Sequence, residues 1–293
     1  MKIVRRVVVV FSALVLLLVG VVLALYMSLR IKPLPPSVAS VFAGKELAHR
    51  GGYEYGPENC LPHIKSLSQK GIKTMEVDLL TSKDGVLVLF HDHTINRVTN
   101  GKGAVKALTL KELQNVLIKE KDGKTLSSCK IATLNDYLKL VKQEKLLSEL
   151  DLKHKDKKSY QHVAKEVSRL IKKHKVYDRV YVSSFDPRML YQVRKYDPKI
   201  VTAYSFRTDA TGNFWVDSFL RSRWVPSFLG VSILEPQKKL VTASSVKSWT
   251  QQGYTIVAWT ANLKKDKERL KKLKVSFVSN CPGRVCLDHS SDH

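Results

Sequence analysis

From residue 45 onward, short β-like runs alternate with capped helical patterns over about 245 residues, and no other feature limits the fold so sharply. The strand candidates are ELAH (46–49), TMEVDLL (74–80), VLVLFHD (86–92), SELDL (148–152), RVYVSSF (179–185), IVTAYSF (200–206), GVSIL (230–234), TIVAWTA (255–261) and VSFVS (275–279). Helix starts stand between them. Thr109-x-x-Glu112 is a capping box, Thr133 and Ser159 precede amphipathic runs, and Asp186-Pro187 sets a cap before a proline at the first helical position. A chain that alternates in this way lays its strands parallel, and an α/β (β/α)₈ barrel is the expected fold. Nine candidates for eight places mean that at least one strand is wrong or peripheral. The link from TMEVDLL to VLVLFHD is also too short for a crossover helix. Residues 93–130 hold one helix and several loops, which reads as an insertion. The barrel domain is expected over 45–285, with a tail at 286–293.

Ahead of the barrel lies MKIVRR and then Val7 to Met27, a run of 21 residues without a charge. About 20 apolar residues span a bilayer, so residues 1–30 read as a transmembrane signal anchor rather than a cleaved signal peptide. Lys2, Arg5 and Arg6 place more positive charge before the run than Arg30 and Lys32 place after it. That excess favours a cytosolic N-terminus and a lumenal or extracellular body, on an endomembrane or the plasma membrane. IKPLPPSVAS opens a proline-bearing linker (31–44) that should be extended and hold the body off the membrane. The net charge of +24 favours anionic partners: headgroups, nucleic acid or acidic glycans. The lumenal placement argues against nucleic acid. Cys60, Cys129, Cys281 and Cys286 fit no zinc spacing; pairing such as Cys281–Cys286 and four buried thiols both remain open.

The polar residues gather at strand C-termini, where barrel enzymes keep their chemistry. His49-Arg50 leads into two glycines, so a proton-exchanging side chain and a phosphate-gripping one share a loosened turn. In Glu76-Val77-Asp78, strand alternation puts both carboxylates on one face, where they repel unless a cation sits between them. Asp151-Leu152-Lys153 repeats the spacing and adds a third carboxylate and an ammonium. Three hard oxygen donors suit a divalent cation, Mg²⁺ first and Ca²⁺ second, better than zinc. His91-Asp92 offers a second histidine. Each of these alone is more often a rim salt bridge or a structural histidine. Two histidines, three carboxylates, an arginine and a lysine at the strand ends of one barrel are hard to explain that way.

The series HRGG…PEN, EVD, KDGVLVLFHD, D-x-K, SSFD and AWTAN resembles the glycerophosphodiester phosphodiesterase family in order and spacing, from about residue 46 to 280. The N-terminal anchor, the aspartate of DLKHKD and FWVDSFLRSRW…LGVSI resemble its membrane-bound animal branch. The resemblance implies that His49 and His91 form the acid–base pair. It implies that Glu76, Asp78 and Asp151 bind a divalent cation, that Arg50 and Lys153 hold the phosphate, and that Trp259 lies against the alcohol moiety. Glu58 is placed near the metal, and Asn59 is either a site residue or a helix cap. Two positions depart from the pattern: Asp151 where many relatives carry glutamate, and Asn280 where an aspartate is frequent.

The expected function is metal-dependent hydrolysis of glycerophosphodiesters, of glycerophosphoinositol type, to sn-glycerol 3-phosphate and an alcohol. One alternative is a lysophospholipase D acting on lysophospholipids or N-acyl glycerophosphoethanolamines. Another is a catalytically silent membrane partner. The aromatic and arginine-rich stretch 206–228 is expected either to touch the bilayer or to fill an apolar gap outside the barrel.

Overall fold

Apolar residues that alternate with polar ones along a strand must find apolar cover on one side only, and here helices supply it. The computed structural model describes residues 2–120, 122–153, 159–209, 211–284 and 286, with the side chains of 2–10, Ala13 and Phe214 outside that description. The basic run after Lys153, the tail after Cys286, the Phe214 ring and the charges of Lys2, Arg5 and Arg6 therefore lie outside the described residues.

The strands are β1 (Glu46–Ala48), β2 (Thr74–Thr81), β3 (Leu87–Leu89), β4 (Leu117–Lys119), β5 (Leu126–Lys130), β6 (Leu147–Leu152), β7 (Val180–Ser184), β8 (Val201–Phe206), β9 (Ile233–Pro236), β10 (Thr255–Ala258) and β11 (Ser276–Ser279). The helices are α1 (Lys2–Leu29), α2 (Leu61–Gln69), α3 (Leu110–Gln114), α4 (Leu134–Glu144), α5 (Tyr160–His174), α6 (Pro187–Tyr196), α7 (Phe214–Leu220), α8 (Trp224–Leu229), α9 (Ala243–Gln251) and α10 (Lys264–Lys272). Parallel pairing runs β1-β11-β10-β9-β8-β7-β6-β2, and a β1–β2 pairing closes the ring. The eight-stranded barrel is the expected one. The ninth candidate, VLVLFHD, is the peripheral one: β3 pairs antiparallel with β2, Leu79 opposite Leu89. The short link makes a hairpin, since it cannot make a crossover.

Outside the barrel, Val77, Leu79, Leu150 and Leu152 pack against Leu138, Val163 and Val167 of α4 and α5. Three caps fall where the sequence places them: Thr109 and Glu112 form the box of α3, Thr133 accepts from Asp136 N, and Asp186 accepts from Arg188 N with Pro187 at the first helical position, whereas Ser159 precedes α5 without a side-chain cap bond. The insertion carries its own small core around Phe90, Ile95, Leu113 and Ile118, with β4 and β5 as an antiparallel pair.

One expectation changes. The segment 31–44 is not an extended spacer. Pro36–Val38 and Ser40–Phe42 are short 3₁₀ turns, and Ala39 and Phe42 are buried in the N-terminal end of the barrel, Phe42 edge-on to Tyr181 at 4.7 Å. Apolar side chains at 34, 39 and 42 have an open barrel end to fill, and filling it outweighs the extended preference of the prolines. The N-terminal segment forms α1, but among the described residues no helix is long and apolar enough to cross a membrane. With the side chains of 2–10 and Ala13 outside the description, the remainder falls short of the about 20 residues a span requires.

Candidate active site

The register of β2 on β6 sets Glu76 beside Glu149 and Asp78 beside Asp151, so one alternating face carries two layers of carboxylates into the barrel lumen. In the upper layer Glu76, Asp78 and Asp151 each offer an oxygen, all within 4.8 Å of one another, and all three residues are buried. Lys153 reaches back to Asp151 Oδ2 at 2.5 Å and lies 3.3 Å from Asp78 Oδ1. Asp78 Oδ1 and Asp151 Oδ1 are nonetheless buried without a hydrogen bond among the described residues. Buried, under-satisfied carboxylate oxygens are costly without a compensating cation. An all-oxygen donor set of this kind fits a hard divalent cation.

The turn after β1 delivers the next groups. Arg50, Gly51 and Gly52 all take positive φ (50°, 72° and 84°), which reverses the chain within three residues. A Cβ at Gly51 would come 2.6 Å from the Ile64 side chain, and one at Gly52 would come 2.4 Å from Leu67. The glycines therefore let this turn lie against α2. The Arg50 N–H donates to Glu76 Oε2 (2.7 Å), while its guanidinium donates to Glu58 Oε2 (3.1 Å) and to His91 Nε2 (2.9 Å). Glu58 thus sits on Arg50 and on Arg97 Nη2 (2.8 Å), rather than among the three clustered carboxylates. Asn59 is a site residue rather than the cap of α2: its Nδ2 donates to Asp78 Oδ2 (3.0 Å), and Cys60 takes the cap position.

The two histidines are held differently. Asn280 Nδ2 donates to the Tyr53 hydroxyl (2.6 Å), which turns the Asn280 carbonyl toward His49. His49 Nδ1–H donates to that carbonyl at 2.6 Å, leaving Nε2 facing the site, 3.9 Å from Glu76. Asn280 therefore fixes the tautomer and the orientation of the His49 ring. His91 arrives on the β2–β3 hairpin, where Phe90 N donates to Asp78 O (3.0 Å). Its Nδ1–H donates to Asp92 Oδ1 (2.6 Å), and Arg97 Nε in turn grips Asp92 Oδ2 (2.6 Å). Each ring thus presents Nε2 to the mouth. Trp259, at the end of β10, donates its indole N–H to Glu235 O (2.8 Å) and meets Phe185 edge-on at 5.2 Å, forming an aromatic wall.

Burial, reinforced by the Arg50 charge, holds the His49 pKa down at about 3, so the ring is neutral in this state. Burial, with Asp78 and Glu149 nearby, pushes Glu76 well above the usual carboxylate range. Burial acts the same way on Asp78, but Lys153, His91 and Arg50 outweigh it and hold that group below its ordinary value. Asp151 is raised, because burial exceeds the pull of Lys153. Lys153 is raised in spite of its burial, since Asp151 and Asp78 hold its proton.

Below lies a second layer that the sequence reading passed over. Glu149 accepts from Tyr181 OH (2.9 Å) and Ser183 Oγ (2.7 Å), and Glu235 accepts from Ser205 Oγ (2.6 Å). Burial lifts Glu149 well above the usual range and pushes Glu235 up to about 8.

Residues 49–279 match the model of the glycerophosphoryl diester phosphodiesterase family. The chain belongs to this family. It is a glycerophosphodiester phosphodiesterase. Glycerophosphodiester phosphodiesterase 1 of Bos taurus is 30% identical over 242 residues, 74% of this chain and 71% of that protein. The Homo sapiens protein of the same name is 27% identical over 271 residues, covering 83% and 80%. Among solved structures, an Oleispira antarctica phosphodiesterase in complex with the product sn-glycerol-3-phosphate superposes with a TM-score of 0.72 at 24% identity, over 83% of this chain and 96% of its own. A glycerophosphodiester phosphodiesterase of Agrobacterium tumefaciens gives 0.65 at 20% identity, over 81% and 96%. These likenesses carry the barrel fold.

The structure brings His49, Arg50, Glu76, Asp78, His91, Asp151 and Lys153 into one cluster at the barrel mouth, with Trp259 on its wall. Sequence reasoning missed Tyr53, Asp92 as the partner of His91, Arg97, and the Glu149–Glu235 layer. Glu149 was within reach: in SELDLK it shares the face of Asp151 and Lys153.

Proposed function

We propose that this mouth hydrolyses small glycerophosphodiesters, glycerophosphoinositol-type compounds among them, to sn-glycerol 3-phosphate and an alcohol. One observation carries the reading. The carboxylate cluster with unsatisfied buried oxygens lies beside two histidines, each held through Nδ1 and each presenting Nε2. A divalent cation held by Glu76, Asp78 and Asp151, Mg²⁺ or Ca²⁺, supplies charge neutralisation at the phosphoryl oxygens. Lys153 and Arg50 bind the remaining phosphate oxygens, and Arg50 leaves His91 to do so. His49 and His91 divide the proton work between them: one ring, as the neutral imidazole, takes the proton of the attacking hydroxyl at Nε2, and the other, entering as the imidazolium, gives its Nε2 proton to the leaving oxygen. Trp259 and Phe185 flank the alcohol moiety and limit its width. The product in the Oleispira antarctica relative supports the glycerol phosphate half of this assignment.

The body rides on a membrane, with α1 as its anchor and the barrel on the lumenal or extracellular side. The uncharged run Val7–Met27, the single helix Lys2–Leu29 and the exposure of its described apolar side chains support that placement. The test is turnover of a panel of glycerophosphodiesters and lysophospholipids by the full-length protein. Chelation should abolish release of glycerol phosphate, and added Mg²⁺ or Ca²⁺ should restore it. Turnover that persists through exhaustive chelation would remove the cation from the reading. Faster turnover of lysolipids than of glycerophosphoinositol would move the substrate class.

A further inference from the structure

The stretch 206–228 divides in two. Phe206 and Val225 go inward, with Phe228 packed against them and Leu229, just beyond, buried beside them. Trp215, Val216 and Phe219 do not: at spacings of one and four residues they share one face of α7, and they are 79%, 44% and 60% exposed. Trp224, at the start of α8, is also exposed. Beside them two adjoining cavities of about 320 and 450 Å³ share Arg223, Gln252 and Tyr254. The inner one reaches Arg221, and the outer one reaches Arg30 of the segment after α1. Arg30 and Arg223 have no carboxylate partner among the described residues, whereas Arg221 donates to Thr208 O.

The apolar face is continuous with α1. Tyr26 meets Trp224 edge-on at 5.7 Å and Phe228 at 5.6 Å, and Ile31 N donates to Phe228 O. Because residue 26 lies beside 224 and 228, and residue 31 beside 228, α1 and α8 run in the same sense. The preceding part of α1 therefore projects toward the side where the chain leaves β8 for α7, which is the side of the active-site mouth.

From this we infer that α7 and the groove between α8 and α9 form a docking site for an anionic phospholipid of the bilayer. The aromatic face enters the headgroup region, and one lipid phosphate sits among Arg30, Arg221 and Arg223. A flat polyanion has no use for the exposed rings and the apolar helix next to them, whereas a bilayer satisfies both. This inference is independent of the catalytic reading. It also has its own signal, because all four tryptophans lie outside residues 1–30 and α1 contains none.

The experiment places full-length protein in nanodiscs carrying acyl-brominated lipid and reads quenching of tryptophan fluorescence. Brominated phosphatidylserine, diluted in phosphatidylcholine, should quench more than the same amount of brominated phosphatidylcholine. Each arginine contributes about fivefold to that preference. Trp215→Phe should remove a large share of the quenching. Arg223→Ala should cut the phosphatidylserine preference about fivefold, with Arg223→Lys keeping most of it. Melting temperature and turnover of a soluble glycerophosphodiester should stay unchanged in all three variants. Equal quenching by the two brominated lipids overturns the headgroup site. Absence of quenching overturns the docking surface altogether; quenching left unchanged by Trp215→Phe would come from Trp224, which α1 carries to the bilayer through Tyr26, and would overturn the contact of α7. Quenching that persists in a protein without hydrolytic activity leaves this inference standing and refutes only the catalytic one.

Discussion

Two layers of carboxylates share the lumen of this barrel, and they are built of the same residue types for opposite ends. In the upper one, Glu76, Asp78 and Asp151 stand against Lys153 and Arg50, and Asp78 is held below its ordinary pKa. In the lower one, no cation stands by among the described residues: Glu149 accepts from the hydroxyls of Tyr181 and Ser183, Glu235 from that of Ser205, the two carboxyls adjoin each other, and burial pushes both up. Along β6 two residues separate the layers, Glu149 from Asp151, while Glu76 of β2 stands level with Glu149 and turns its carboxylate up to the Asp78–Asp151 group. What differs is the neighbour. Fixed ammonium and guanidinium groups hold Asp78 ionised although burial still raises its neighbours Glu76 and Asp151, while hydroxyl donors in a sealed place let both carboxyls of the lower layer keep a proton. Composition does not tell an anionic site from a neutral polar core; the facing strand does.

The comparison is most severely tested where the upper layer meets the histidines. His49→Ala and His91→Ala should each lower kcat by about 10²–10⁴, with melting temperature unchanged. The double variant should be little worse than either single one, because the pair acts as a unit. Near-normal kcat in either single variant would break the assignment of proton transfer to this layer. Next in size, Asp151→Asn should raise the half-saturating concentration of Mg²⁺ or Ca²⁺ by about 10–100-fold, a penalty of the size seen when a metal site loses a supporting group. An unchanged metal titration would reduce Asp151 to a partner of Lys153. Smallest is the effect on turnover of Glu235→Gln, which should stay within a few-fold of wild type, because the amide mimics a carboxyl that is already neutral. Its signature lies in stability. The folded pKa of Glu235 is raised from 4.5 to about 8, so the folded chain holds a proton that the unfolded chain has released. That stabilisation is complete below 4.5 and is lost as pH rises through about 8. The variant should flatten the fall in melting temperature across this window. A slope identical to wild type would show Glu235 ionised and erase the distinction between the layers.

Most of the barrel was legible because its strands are short apolar runs between capped helices, and the upper layer was legible because period-two spacing in EVD and DLK fixes a face. The misses have local causes. β4 is only three residues long, and β5 turns Ser127 and Cys129 inward with Leu126 exposed, so hydropathy hides its alternation. Their turn was nonetheless announced by Asp122-Gly123, where Asp122 accepts from Lys124 N and Thr125 N. α7 begins at Asn213, which accepts from Trp215 N and Val216 N, a cap obscured by the aromatic run after it. Glu235 falls one residue past the end assigned to its strand, and strand ends are what patterns locate least well. The fold of residues 31–44 could not be read locally at all, since what holds Ala39 and Phe42 is an open barrel end formed by strands far along the chain.

Cys60 and Cys129 are joined, as are Cys281 and Cys286. The first bond lies at a sequence separation of 69 and closes a covalent ring around β2 and β3. Glu76, Asp78 and His91 lie inside that ring, while His49, Arg50, Asp151 and Lys153 lie outside it. A closure of that length restricts the denatured chain by on the order of 4 kcal/mol in the chain-entropy view. When the barrel opens, Glu76, Asp78 and His91 remain on one closed circuit of chain, which searches a smaller set of arrangements than an open chain of the same length. Reduction of that one bond would lengthen the search for the strands that carry Glu76, Asp78 and His91 and leave the chain ahead of Cys60 and beyond Cys129 unaffected.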